Sequence, residues 1–231
     1  FWLKAARGGA LTPPPGRVMS APAAADAGAP GHTEAAAGNG DGTVEEVDKG
    51  ARVPRLIVFD LDACLWSPEM FELNSAPQAY DKEADGVRAG RDVVRLFPGA
   101  AAVLRAIRAE ARFEHTEIAV ASSTTEPTYA NTCLDQLVIG ADGATIGSLV
   151  RYREIYPSNK GRSHFPALQK ASGVQYCDML FFDDCTYSDN CEVVAACCPG
   201  VVCVRTPEGL TEELFWQGLE AFAAGEAGVV A

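Results

Sequence analysis

Apolar runs of strand length alternate with amphipathic stretches of helix length from about residue 55 to residue 225, and the alternation predicts an α/β fold, a parallel sheet covered by helices on both faces. Two further observations point to the same class. Runs such as Leu56-Ile57-Val58-Phe59 and Leu180-Phe181-Phe182 are apolar throughout, the pattern of strands buried on both faces. The C-terminal ends of these runs carry acids or hydroxyls, at the edge where open α/β sheets bind their ligands.

Ahead of the first strand, Ala, Gly and Pro supply 28 of 54 residues with no apolar periodicity. Residues 1–54 are therefore expected to be a disordered or targeting segment, and residues 55–231 the folded domain. Lys4, Arg7 and Arg17 precede any acid, which weakly resembles a transit peptide, and Met19 is a candidate start for a chain that opens on Phe1. The first strand ends in Asp60, and Asp62 follows two residues later. On an extended backbone the two carboxylates project to one side, roughly 7 Å apart. Residues 67–95, broken by Pro68, Pro77, Gly86 and Gly90, read as a loop insert and not as a domain. Pro98 opens a helix to about Ala111, with Val103, Leu104 and Ile107 on one face and Arg105 and Arg108 on the other. A second strand over 116–121 runs into Ser122, Ser123, Thr124 and Thr125. Helix is expected over 126–138, an extended piece over 148–156, and helix again over 162–172, just after Lys160. The third strand, 178–182, ends in Asp183 and Asp184; a short helix over 190–198, a strand over 201–205 and a last helix over 211–224 complete the pattern.

Composition excludes several functions. A formal charge of -12 argues against a nucleic-acid footprint, which needs a basic stripe. No apolar run approaches the ~20 residues of a membrane-spanning helix, so a soluble chain is expected. The eight cysteines, from Cys64 to Cys203, include no Cys-x-x-Cys pair and follow no apolar signal peptide, which favours a reduced protein of the cytoplasm, with a plastid or mitochondrion as the alternative. No cysteine is followed by arginine six positions later; His32, His115 and His164 are scattered, and neither a Walker loop nor a Gly-x-Gly-x-x-Gly fingerprint occurs.

Right-handed crossovers put all strand ends on one edge, so Asp60 and Asp62, Ser122, Lys160, and Asp183 and Asp184 can converge. Four carboxylates together repel, and Mg2+, a hard cation with oxygen ligands, relieves the repulsion. Ser122 can donate to a phosphoryl oxygen and Lys160 can neutralise one, an assembly suited to phosphoryl transfer. Each residue also has a plainer reading. Ser122 can be a helix N-cap with Glu126 near the capping-box position, Lys160 a solvated charge, Asp-x-Asp a turn, Cys185 and Cys191 packing groups, and Trp66 and Trp216 core or site-wall aromatics.

Phe-Asp-Leu-Asp-x-x-Leu-Trp at 59–66, Ala-Ser at 121–122 with Glu126, Arg-Glu-Ile-Tyr-Pro-x-x-Lys at 153–160 and Phe-Phe-Asp-Asp at 181–184, in this order, resemble the magnesium-dependent phosphatase family of the haloacid dehalogenase superfamily. The likeness covers residues 55–224. It implies a three-layer Rossmann-like sheet with a minimal cap and hydrolysis of phosphomonoesters, phosphotyrosine or sugar phosphates on a small molecule or a phosphoprotein, through an aspartyl phosphate. It further implies Asp60 as nucleophile, Asp62 as acid and base, Ser122 and Lys160 as the phosphate-holding pair, and Mg2+ on Asp60, the backbone carbonyl of Asp62, and Asp183 or Asp184. Three departures stand out: Cys64 in place of the family's threonine, Ser123 in place of an arginine next to Ser122 in the phosphate-binding loop, and a longer loop to Asn190. Losing an arginine fork removes a bidentate phosphate contact. The competing expectations are a receiver-like phosphoacceptor, in which the paired acids come first and the lysine last, and a catalytically weak phosphate-binding module.

Overall fold

The computed structural model describes residues 52–230; the expected segment 1–54 lies outside it up to residue 51. Strand β1 (Leu56–Phe59) is followed by β2 (Trp66–Ser67), β3 (Tyr80–Asp81), β4 (Gly86–Ala89), β5 (Asp92–Leu96) and helix α1 (Pro98–Ala109). Then come β6 (Glu117–Ser122), α2 (Pro127–Gln136), β7 (Val150–Ile155) and α3 (Phe165–Ser172). Strand β8 (Met179–Asp183), α4 (Asn190–Cys197), β9 (Val202–Arg205), α5 (Glu212–Ala224) and β10 (Gly228–Val229) close the domain.

Six strands form one parallel sheet in the order β10-β9-β8-β1-β6-β7. Alternate side chains of each strand feed two cores. Ile57, Phe59, Leu180 and Phe182 meet α1, α2 and α5 on one face, while Leu56, Val58, Met179 and Phe181 meet α3 and α4 on the other. Phe59 and Phe182 stack at 5.4 Å between ring centroids on the first face. The chain moves outward from β1 through β6 to β7 and later returns to the opposite side of β1 as β8. That reversal makes the crevice between β1 and β8 a topological switch point, where α/β sheets bind ligands.

The expectation of an irregular insert is corrected. Between β1 and α1 the chain folds a four-stranded antiparallel sheet in the order β2-β5-β4-β3. Its strands have two to five residues, too short for an alternating pattern to show. The β4–β5 hairpin turns at Gly90, whose φ of 65° lies in the left-handed region that glycine tolerates. Other element boundaries agree with the sequence reading to within about two residues, except that the turn from Lys160 to His164 is π-helical and β10 was not expected.

Candidate active site

The register of the sheet places the first acids together. Phe59 pairs with Val120 on one side and Phe182 on the other, so Asp60 stands level with Asp183, and the Asp60 N–H donates to the Phe182 carbonyl at 2.9 Å. Asp60 and Asp183 are buried at the switch point, with Asp184 beside them; one oxygen of each carboxylate lies within 4.8 Å of the others. Lys160 reaches this group from the loop after β7. Its Nζ lies 2.6 Å from Asp60 Oδ1 and 2.5 Å from Asp183 Oδ2, and only 1% of the residue is exposed. Burial alone would lower the ammonium's pKa, but the Asp60 and Asp183 carboxylates outweigh it and hold the group above the usual lysine range. The reading of Lys160 as a solvated charge is therefore excluded.

The two paired acids differ. Asp183 is saturated: Oδ1 accepts from the Cys185 N–H at 2.9 Å and from Asn190 Nδ2 at 3.1 Å, and Oδ2 accepts from Lys160 and from Asn190 Nδ2 at 3.2 Å. Asp184 Oδ2 accepts from the Thr186 N–H at 2.9 Å, and the residue lines the cleft, which Asp183 does not. Three carboxylates crowd beside one ammonium, and burial, with Asp183 and Asp184 nearby, pushes the Asp60 carboxyl above the usual range against the pull of Lys160; a divalent cation among them would relieve that crowding.

Asp62 forms a β-bridge with Trp66, the chain turns just after it at Ala63 with a φ of 57°, and Asp62 Oδ1 accepts from Trp66 Nε1 at 2.7 Å; Asp62 lines the same cleft as Asp60. Burial pushes its carboxyl above the usual range, against the pull of hydrogen bonds from Trp66, the Met70 backbone and Thr124. Ser122 is the last residue of β6 and is buried, so it is not a helix cap; Glu126 holds that position, with its N–H donating to Thr124 Oγ1. Ser123 also lines the cleft, and its hydroxyl donates to the Ser158 carbonyl at 2.8 Å. Cys64 is buried beneath the loop between the Phe182 carbonyl and the Thr206 hydroxyl, and burial pushes its thiol up, which makes it a packing group.

The cleft has a volume of about 690 Å3. Its mouth is set by groups that sequence reasoning did not single out. Phe71, from the antiparallel insert, and Tyr187, from the loop after Asp184, are 56% and 74% exposed and meet edge to face at 6.3 Å, and Tyr187 OH donates to Glu69 Oε1 at 2.9 Å. An exposed aromatic carries no sequence signal until both loops are placed. Of the two tryptophans expected as core or site-wall aromatics, Trp66 is fully buried in the core with its Nε1 donating to Asp62, and Trp216 packs on Phe113 and Phe215, under Arg112; neither lines the cleft.

A sheet that gathers three carboxylates and a buried lysine at its switch point presents a candidate site for a divalent cation and a phosphoryl group. Comparison with known proteins narrows it. Residues 52–225 match the family model described as acid phosphatase. The chain is 35% identical to human magnesium-dependent phosphatase 1 over 184 residues, covering 77% of this chain and 92% of that protein. It is 29% identical over 141 residues to a HAD-like hydrolase superfamily protein of Schizosaccharomyces pombe, covering 59% and 78%. A Bacteroides fragilis phosphatase-domain structure solved with Mg is similar in fold, with a TM-score of 0.51 at 13% identity, over 77% of this chain and 42% of that one. The chain belongs to the acid phosphatase family of magnesium-dependent, haloacid dehalogenase-like phosphatases. Its cofactor is Mg2+, and its substrate is phosphorylated.

Proposed function

We propose that the chain hydrolyses phosphomonoesters by passing the phosphoryl group first to Asp60 and then to water. The observation that carries this reading is that Asp60, ion-paired with Lys160, and Asp62, with its raised proton affinity, open on one cleft from the end of β1. Asp60 attacks phosphorus as the ester P–O bond breaks, and Asp62 gives its proton to the leaving oxygen. Water then attacks the aspartyl phosphate, its proton passes to Asp62, and inorganic phosphate leaves with the Asp60 carboxylate restored. Ser122 and Lys160 hold the phosphoryl oxygens, and Ser123, whose hydroxyl is engaged by the Ser158 carbonyl, lines the site beside them. Asp60, Asp184 and the Asp62 carbonyl would hold Mg2+, while Asp183, already saturated, anchors Lys160 and Asn190. Bound Mg2+ offsets the negative charge of the carboxylates and the phosphoryl group.

The wall formed by Phe71 and Tyr187 favours a flat aromatic leaving group, so phosphotyrosine-type esters fit better than sugar phosphates. Eight free thiols favour a reducing compartment. Asp60→Asn cannot form the acyl phosphate and is expected to lose turnover of p-nitrophenyl phosphate and burst labelling by rapid quench. Near-wild-type turnover in this variant would sink the mechanism, and a long-lived label in the wild-type protein would favour the receiver-like phosphoacceptor.

A further inference from the structure

Ser122 and Lys160 come from different elements, and the ring of His164 joins them. His164 closes the π-helical turn that Lys160 opens, and it is fully buried. Its Nε2 lies 3.2 Å from the Ser122 carbonyl oxygen and 3.0 Å from that of Tyr156. Two carbonyl oxygens at these distances require hydrogen on Nε2, which therefore donates to both. Ser122 and Tyr156 sit at the ends of neighbouring strands β6 and β7, and the Tyr156 N–H donates to the same Ser122 oxygen at 3.1 Å. The imidazole also stacks on the Tyr156 ring at 4.3 Å, with 8° between planes. Among the described residues Nδ1 has no hydrogen-bond partner, and burial, with the nearby Lys160 charge, lowers the ring's proton affinity against the pull of the Tyr156, Asn159 and Ser122 backbone, so the ring is neutral. Burying a polar ring with one nitrogen unpaired costs free energy that an apolar residue would avoid. No step of the proposed reaction uses it.

We propose that His164 is a positioning residue that fixes the spacing of Ser122 and Lys160, tying the ends of β6 and β7 to the lysine's turn through one shared Nε2–H donor. The inference rests on the reading of Ser122 and Lys160 as the phosphate-holding pair. Lys160 is already tethered at its tip by Asp60 and Asp183, so the tie governs where the backbone of the Ser122 loop stands relative to that tip. Loosening it weakens phosphate binding and leaves the Mg2+ ligands untouched.

The full chain with Mg2+ is assayed for inhibition of p-nitrophenyl phosphate hydrolysis by inorganic phosphate, for KM and kcat, and for the Mg2+ activation constant. A glutamine amide reaches about as far as Nε2, and an asparagine amide about as far as Nδ1. His164→Leu and His164→Asn are expected to raise the phosphate inhibition constant and KM about tenfold, the worth of one well-placed hydrogen bond, and His164→Gln to restore both to within about threefold. The Mg2+ activation constant stays at the wild-type value in all three. Equal losses in the glutamine and asparagine variants, or wild-type phosphate binding in the asparagine variant, overturn the proposal. Both polar variants fill the site, so that comparison decides even if the leucine variant fails to fold. Ser122→Ala separates the two levels: if it leaves phosphate inhibition unchanged, the phosphate-holding reading has failed, whereas a loss there beside intact asparagine-variant binding removes the role of His164 alone.

Discussion

Asp62 binds its proton more tightly in the folded protein than in the unfolded chain, because burial outweighs the hydrogen bonds from Trp66, Met70 and Thr124. For a carboxyl with a raised folded pKa, the folded state is penalised once both states are ionised, and the penalty vanishes below the unfolded value of about 3.9. Stability therefore falls as pH rises from about 4 through the folded pKa. Asp62→Asn is expected to unfold at a higher temperature than wild type at pH 7 in EDTA, with the gain gone below about pH 4; thermal scans across that range check the sign. The same substitution removes proton transfer, typically worth 10²- to 10⁴-fold in rate. The first step should suffer more for an alkyl phosphate than for p-nitrophenyl phosphate, whose leaving group needs little protonation. Lys160 is the converse case, a buried cation between two buried carboxylates. Lys160→Met leaves Asp60 and Asp183 uncompensated, and a loss of roughly 3–5 kcal/mol is expected from urea unfolding without Mg2+.

At the scale of elements, the antiparallel insert and the loop from Asp183 to Asn190 meet at their tips, through Phe71, Tyr187 and Glu69. Both rings are exposed, so removing them costs the fold little. Phe71→Ala and Tyr187→Ala are expected to raise KM for phosphotyrosine several-fold while leaving KM for a sugar phosphate and the unfolding temperature near wild type. Parallel KM measurements on the two substrates decide it, and equal changes for both would remove the aromatic wall from substrate choice.

Across the whole molecule, Mg2+ binding would couple to folding, because the ligands proposed for it follow β1 and β8 and are brought together only in the folded sheet. A ligand at a hundred times its Kd stabilises the native state by about 2.7 kcal/mol. Wild type is therefore expected to melt at a higher temperature as Mg2+ rises. Asp184→Ala should abolish that rise with little change in the metal-free melting temperature. Asp183→Ala should lower the metal-free stability, since Lys160, Asn190 and the Cys185 N–H lose their shared acceptor. A full Mg2+ response in Asp184→Ala would return the metal to Asp183.

By itself the sequence determined the fold class and the candidate acids, serine and lysine that meet at one sheet edge. Runs such as 56–59 and 179–182 are apolar on both faces and so demand helices above and below, and acids at their ends mark the edge where a ligand sits. Tertiary structure alone decided how those residues are used. The strands of the 66–96 insert are too short to declare a period, and their pairing is fixed by register between segments far apart in the chain. Two adjacent acids look alike in a sequence, but a strand end turns one inward to Lys160 and Asn190 and the next outward to the cleft. His164 among scattered histidines, and Phe71 and Tyr187 on separate loops, acquire meaning only from neighbours that the sheet brings to them, since hydrogen bonding and packing depend on distance in space and not along the chain.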